Sequence, residues 1–269
     1  MNRFDRSLRA MLSIALVMTI GGATCGVHLA AAALQNESAL PAAQIPSYIT
    51  DAINAPARPA ADRDSDASRQ PAQVMAFFGV KPGMQVADLW AGGGYTTELL
   101  ARIVGPTGKV YSQNIQFPDK FKKAEASWKA RLTEPGMGNV TEVTKPFDAP
   151  DLIPAAPGTL DAVFINLNYH DLFDINADPD KLNATVLNLL KPGGFYCIVD
   201  NSAQMGSGTR DTNTLHRIDE AFVIKQIEKD GFKLVATSDV LRNSKDPRTE
   251  PFWKINHSQD RFILKFEKP

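Results

Sequence analysis

The sequence predicts an α/β domain: a seven-stranded, mostly parallel sheet with one antiparallel strand and helices on both faces. Two observations carry this. From Val86 onward, short apolar runs alternate with helical periodicities, and glycine or proline punctuates the junctions; strands separated by helices pair in parallel. The last two apolar runs, Phe232–Val240 and Arg261–Glu267, are joined by a hairpin-like excursion, which places one antiparallel strand in the sheet.

The elements follow in order. Pro71 opens a helix whose apolar face is Val74, Met75, Phe77 and Phe78, and Gly79 closes it. Val86–Leu89 is a short strand, Gly92–Gly94 a glycine turn, and Tyr95–Val104 a helix stopped by Gly105-Pro106. Val110–Ser112 is the second strand, Ala124–Leu132 lies in a helical stretch, Val140–Val143 is the third strand and Ala162–Asn166 the fourth. The helix Asp180–Leu190 ends at Lys191-Pro192-Gly193-Gly194, the strand Phe195–Asp200 follows, and Ile218–Asp230 is helical.

The 269 residues leave room for one domain of ordinary α/β size behind a leader. Residues 1–33 have the order of an export signal: Arg3, Arg6 and Arg9, then the apolar run Met11–Ile20, then the small residues Ala30–Ala33. A periplasmic or otherwise exported protein is therefore expected. The other reading is an uncleaved leader that anchors the domain in the inner membrane, its one membrane contact. Residues 34–61 are rich in Ala and Pro with little periodicity, which predicts a core-free linker, and residues 62–269 form the domain. With Cys25 in the leader, Cys197 is left alone in an apolar strand as a buried thiol. The balance of 29 basic against 30 acidic residues offers no source for the counterion release that drives nucleic-acid binding, so no nucleic-acid partner is expected.

Chemistry concentrates in Val86-Ala87-Asp88-Leu89-Trp90-Ala91-Gly92-Gly93-Gly94-Tyr95. Glycines after a first strand let the backbone approach a ligand closely, and the helix that follows offers unpaired N–H groups. The run lacks the third glycine of a dinucleotide fingerprint, so a nicotinamide-dependent oxidoreductase is the weaker reading. Val86–Tyr95 resembles the first motif of class I S-adenosylmethionine-dependent methyltransferases, a Rossmann-like family. Gly105–Val110, Asp148–Leu152 and Leu190–Gly194 resemble further loops of that family. Asn166–Asp171, Thr214–Asp219 and Arg261–Phe266 resemble a bacterial group of predicted exported methyltransferases.

The resemblance implies S-adenosylmethionine as cofactor and places Asp88 near its amino group. It puts Gly92 and Gly94 along the methionine and ribose and Asp148 at the adenine, with Ala91 and Asn166 completing the set. The acid that usually holds the ribose hydroxyls is Asn114 here, a neutral and weaker partner. Trp90 replaces a small residue and either packs under the loop or crowds the ligand.

Methyl transfer needs mainly an acceptor held in line, with a base where the acceptor is protonated. Tyr169, His170 and Asp171 follow the fourth strand, and His216 follows the glycine-rich stretch Gly206–Asp211, a plausible lid. His170 is the candidate base near neutral pH; the alternative is that His170 and Asp171 cap a helix or bond each other. A helix starting near Leu215 would set His216 one turn from Asp219 and Glu220. A metal site from His170, His216 and Asp219 has no His-x-x-x-His or cysteine pair behind it, so no metal is expected. Arg63 and Arg69 precede the first core helix, where surface pairing is the simpler role and a lid over the cofactor the other. The expected activity is methyl transfer to a small-molecule acceptor; the rival is an exported protein that keeps the fold without the catalysis.

Overall fold

In the strand Gln85–Leu89, Val86 packs into one apolar layer and its neighbour Ala87 into another. Ala162 and Phe164 alternate with Val163 and Ile165 in the same way, as do Cys197 and Val199 with Tyr196 and Ile198. Period-two burial on both sides makes these the central strands of a sheet covered on both faces. The computed structural model describes residues 35–37, 44–255 and 258–269, so the expected leader at 1–33 lies outside the described residues.

In chain order the elements are β1 (Gln35–Glu37), α1 (Ser47–Ile53), α2 (Ala60–Arg69), α3 (Pro71–Phe78), β2 (Gln85–Leu89), α4 (Tyr95–Val104), β3 (Lys109–Asn114), α5 (Lys122–Arg131) and β4 (Val140–Thr144). They continue with β5 (Leu160–Asn166), α6 (Asp171–Asp174), α7 (Pro179–Leu189), β6 (Leu190–Asn201), α8 (Thr212–Leu215), α9 (Glu220–Lys229), β7 (Lys233–Ser238) and β8 (Arg261–Glu267). The sheet runs β1-β7-β8-β6-β5-β2-β3-β4. β8 is antiparallel to both its neighbours, and every other pairing is parallel. All seven expected strands are present. An eighth, the three-residue β1, extends the β7 edge. Among the described residues no helix is long and apolar enough to cross a membrane.

The segment 34–61 departs from a core-free linker. Ile49 and Ala52 of α1 are buried in the layer formed by α3 and α4, and β1 pairs with β7. α2 is different again, since it buries no side chain. Ion pairs hold it: Asp62 to Arg131 at 2.5 Å and Asp66 to Arg58 at 2.7 Å. A second departure concerns the expected helix near Leu215. α8 ends at that residue, His216 takes a left-handed backbone with φ 49°, and Asp219 begins α9 by accepting from the Ala221 N–H.

The chain reverses its order between β2 and β5: β3 and β4 lie on one side of β2, β5 and β6 on the other. In such sheets a crevice opens at the carboxyl ends of the strands at this switch point.

Candidate functional site

The turn after β2 is pinned to the end of β3. The N–H groups of Trp90, Ala91 and Gly92 donate in succession to Gln113 Oε1, the Gln113 carbonyl and Asn114 Oδ1, at 3.0, 2.9 and 2.8 Å. Asn114 also donates from Nδ2 to the Gly92 carbonyl at 3.3 Å. Gly94 ends the turn at φ 85°, and a Cβ there would stand 2.4 Å from the Trp128 ring, so no other residue fits without moving α5. Trp90 itself adopts φ 53° and packs on Phe147 with ring centroids 5.1 Å apart.

Two chambers meet at this turn and share Trp90, Gly92, Leu167, Asn168 and Phe252. The smaller, of about 390 Å³, is polar and is lined by Asp62, Arg69, Asp88, Tyr95, Arg131 and Asn166 among others. Asp88 is buried, and its Oδ2 accepts from the Thr97 hydroxyl at 2.6 Å. Burial outweighs the Thr97 hydrogen bonds and raises its pKa to about 7. Arg69 lies over the Tyr95 ring, 4.4 Å from its centroid, and makes no hydrogen bond or ion pair among the described residues. Burial and the neighbouring Arg69 charge together lower the pKa of Arg261 to about 10. An anion between these cations would relieve both.

The larger chamber, of about 560 Å³, has walls of Ile115, Phe117, Pro118, Ile175 and Phe252, and His170, Asp171 and His216 line it as well. His170 Nδ1 donates to Asp200 Oδ1 at 2.8 Å, and the His170 N–H donates to Asp200 Oδ2 at 2.8 Å. Its Nε2 lies 3.2 Å from His216 Nδ1 and 3.3 Å from Asp171 Oδ1. Burial alone would keep this imidazole neutral, but the charges of Asp200 and Asp171 prevail and raise its pKa to about 10. Burial opposes ionisation of Asp171 too, yet its contacts with His170, Asn168 and His216 hold its pKa below the ordinary value. A larger concavity, about 810 Å³, lies at the C-terminal end of α4 around Ala101, Arg102 and Gly105, away from the strand ends.

The structure sorts the expected residues. Asp88, Ala91, Gly92 and Asn166 line the polar chamber. Gly94 does not; its place is under Trp128, and Gly93 takes the wall position. Asn114 lines the larger chamber, and its Oδ1 and Nδ2 each make a hydrogen bond with Gly92 that shapes the turn. Asp148 is exposed and lines neither chamber. Tyr169 is fully buried, its hydroxyl accepting from Asn183 at 3.3 Å, which removes it from contact with an acceptor. His170, Asp171 and His216 do converge, but an imidazole with a pKa near 10 is already protonated at neutral pH and is no base there. Asp219 turns away and accepts from the Gly206 N–H at 2.8 Å, tying down the glycine-rich stretch expected to be a lid.

Sequence reasoning underrated one group and passed over two. Arg69 faces the polar chamber, where surface pairing was the simpler expectation. Asp200, the acid near the C-terminal end of β6, orients His170. Phe252, in the excursion before β8, closes both chambers, and its signal was the aromatic pair Phe252-Trp253 after a proline.

No protein-family model matches the chain. It is similar to the ubiquinone/menaquinone biosynthesis C-methyltransferase of Shewanella halifaxensis, 31% identical over 125 residues, which is 46% of this chain and 45% of the relative. The protein of the same name from Saccharophagus degradans is 32% identical over 128 residues, 47% of each chain. The chain thus spans less than half the length of these curated relatives. Among solved structures, an S-adenosylmethionine-dependent methyltransferase from Aquifex aeolicus superposes with a TM-score of 0.56 at 21% identity, covering 82% of this chain and 97% of that one. The geranyl diphosphate C-methyltransferase of Streptomyces coelicolor, solved with S-adenosylhomocysteine, gives 0.54 at 13% identity over 81% of this chain and 84% of that one. The cyclase SpnF gives 0.54 at 18% identity over 78% and 81%. The fold is that of Rossmann-like methyltransferases, and the cyclase among the similar structures is a reminder that a fold does not fix a reaction.

Proposed function

We propose that this protein is an S-adenosylmethionine-dependent methyltransferase acting on a small-molecule acceptor. The observation that carries the reading is the pair of oppositely charged groups in the smaller chamber, a buried carboxyl at Asp88 and the guanidinium of Arg69, which has no ion-pair partner among the described residues. They match the ammonium and carboxylate of an amino-acid head group, and a bound ammonium would draw Asp88 into its ionised form. When bound, the cofactor supplies an electrophilic methyl group. The chain supplies position: the pinned turn fixes Asp88 relative to the strand ends, and Trp90 and Phe252 separate the head-group chamber from the apolar one. The apolar walls suit a small acceptor with little charge, and His216, a third exposed, reaches it from one side. The relatives' names, methyltransferases of quinone biosynthesis and of a geranyl diphosphate, support an acceptor of that size and polarity.

Calorimetric titration with S-adenosylmethionine and S-adenosylhomocysteine tests the reading. Micromolar binding is expected; no heat from a folded sample, or a preference for NAD, would sink it. Export to the periplasm belongs to the same proposal and is supported by the basic, apolar and small-residue order of residues 1–33. Protease digestion of intact spheroplasts checks it: a degraded domain means an exported one, a protected domain a cytosolic face.

A further inference from the structure

We propose that His170 Nε2, His216 Nδ1 and Asp171 Oδ1 form a binding site for a tetrahedral divalent cation of the zinc type, open to the larger chamber. The three atoms form a nearly equilateral triangle with edges of 3.2, 3.3 and 3.5 Å. The edge of a regular tetrahedron is about 1.63 times its centre-to-vertex length, so these edges set an ion about 2.0 Å from each atom, the length of zinc–nitrogen and zinc–oxygen bonds. An octahedral face with the same edges would need bonds of about 2.4 Å, too long for magnesium and suited only to calcium, which takes oxygen ligands.

The chemistry of the three atoms points the same way. His170 Nδ1 donates to the fully buried carboxylate of Asp200, which leaves Nε2 as the ring atom that carries either a proton or, in its place, a metal ion. Nε2 faces the carboxylate of Asp171 and the ring nitrogen of His216, so three atoms able to act as acceptors converge where a cation or a proton makes the contact favourable. Each ligand is also held from behind. Asp200 fixes His170, Asn168 Nδ2 donates to Asp171 Oδ2 at 2.8 Å, and the Asn201 amide donates to the His216 carbonyl at 3.0 Å. Such outer partners orient the ligands of metal sites. The left-handed backbone of His216, rare for a residue with a side chain, is what turns its ring onto the other two atoms.

Three protein ligands leave a fourth tetrahedral position, and all three residues line the larger chamber. That position fits a hydroxyl or thiol of a small molecule. This last step rests on the methyltransferase reading, whereas the ion site itself does not.

The test uses the untagged full-length protein, stripped with chelator and titrated with Co²⁺. The expected result is one equivalent bound with the intense visible bands of four-coordinate cobalt, displaced by Zn²⁺. His216→Ala and Asp171→Asn should each weaken binding about 100-fold or more, and Asn168→Ala about 10-fold through the outer contact. The His216 side chain is a third exposed, so its truncation leaves the fold intact by circular dichroism. No saturable cobalt spectrum, or a spectrum and affinity unchanged in both His216→Ala and Asp171→Asn, would overturn the site. Binding of S-adenosylhomocysteine to the chelated protein, measured by calorimetry, reports on the cofactor reading independently of either result.

Discussion

The two chambers of the cleft share a wall but are built differently. In the smaller, Asp88 and the glycine turn come from one short run, and the contacts that fix the turn, its amides on Gln113 and Asn114 and Gly94 beneath Trp128, are complete within the protein. In the larger, His170 and His216 arrive from segments 46 residues apart, and their ring nitrogens meet each other and the carboxylate of Asp171. One chamber is preformed by its backbone. The other is assembled from side chains that only the folded chain brings together.

Substitutions in the preformed chamber should separate binding from stability. Asp88→Asn carries the largest expected effect: affinity for S-adenosylhomocysteine falls about 100-fold or more, because removing the charged partner strands a buried ammonium. The same change should raise the melting temperature of the unliganded protein, since it removes a carboxyl whose ionisation burial opposes. Unchanged affinity would place the head group elsewhere. Next, Gly94→Ala should cost about 2–3 kcal/mol in urea unfolding, from overpacking against Trp128 added to an unfavourable φ. Gly92→Ala, with open space around it at φ 56°, should cost about 1 kcal/mol. Equal costs would mean that Trp128 can give way.

Arg69→Ala should weaken S-adenosylhomocysteine by about 10-fold, the worth of a hydrogen bond to a charged group, and leave adenosine, which has no carboxylate, unaffected. The pH dependence follows from Asp88. Its carboxyl ionises near 4 in the unfolded chain but at about 7 in the folded one. The folded state therefore binds more protons in this window, and the stability contributed by this group falls as pH rises from about 4 to about 7, then levels. Cofactor affinity should move the opposite way, rising towards pH 7 as the carboxylate forms, and Asp88→Asn should flatten both profiles. The smallest effect belongs to Tyr169→Phe. Only a hydrogen bond to Asn183 is lost, so stability should change by about 1 kcal/mol and turnover not at all.

The sequence was most readable where a regular period or a compact motif carried the information. Tyr95–Val104 and Arg261–Glu267 begin and end in the structure where the pattern of apolar residues and stop signals put them. Asp88 and Gly92 could be placed because strand, turn and helix follow one another without interruption. α1 escaped notice because it is only seven residues long and lies in an Ala- and Pro-rich stretch, although Tyr48, Ile49, Ala52 and Ile53 pack on the core at helical spacing. α2 has no apolar face, and ion pairs such as Asp62–Arg131, 69 residues apart, leave no periodic trace. At the end of β5, adjacency misled. Tyr169 and His170 are neighbours, but the one-turn helix α6 sends one side chain into the core and the other to the cleft. His216 was expected inside a helix and lies just past the end of one, since a single residue in the left-handed region redirects the chain.

The pinned turn also bears on what the cleft refuses. In dinucleotide sites the amides of such a glycine turn and the helix start behind it receive a pyrophosphate. Here three successive amides, those of Trp90, Ala91 and Gly92, already donate to the end of β3. Most of the turn's donors are spent within the protein, and selection passes to a carboxyl and a guanidinium that line one small chamber. Such an arrangement favours a zwitterion and gives a polyanion little to hold.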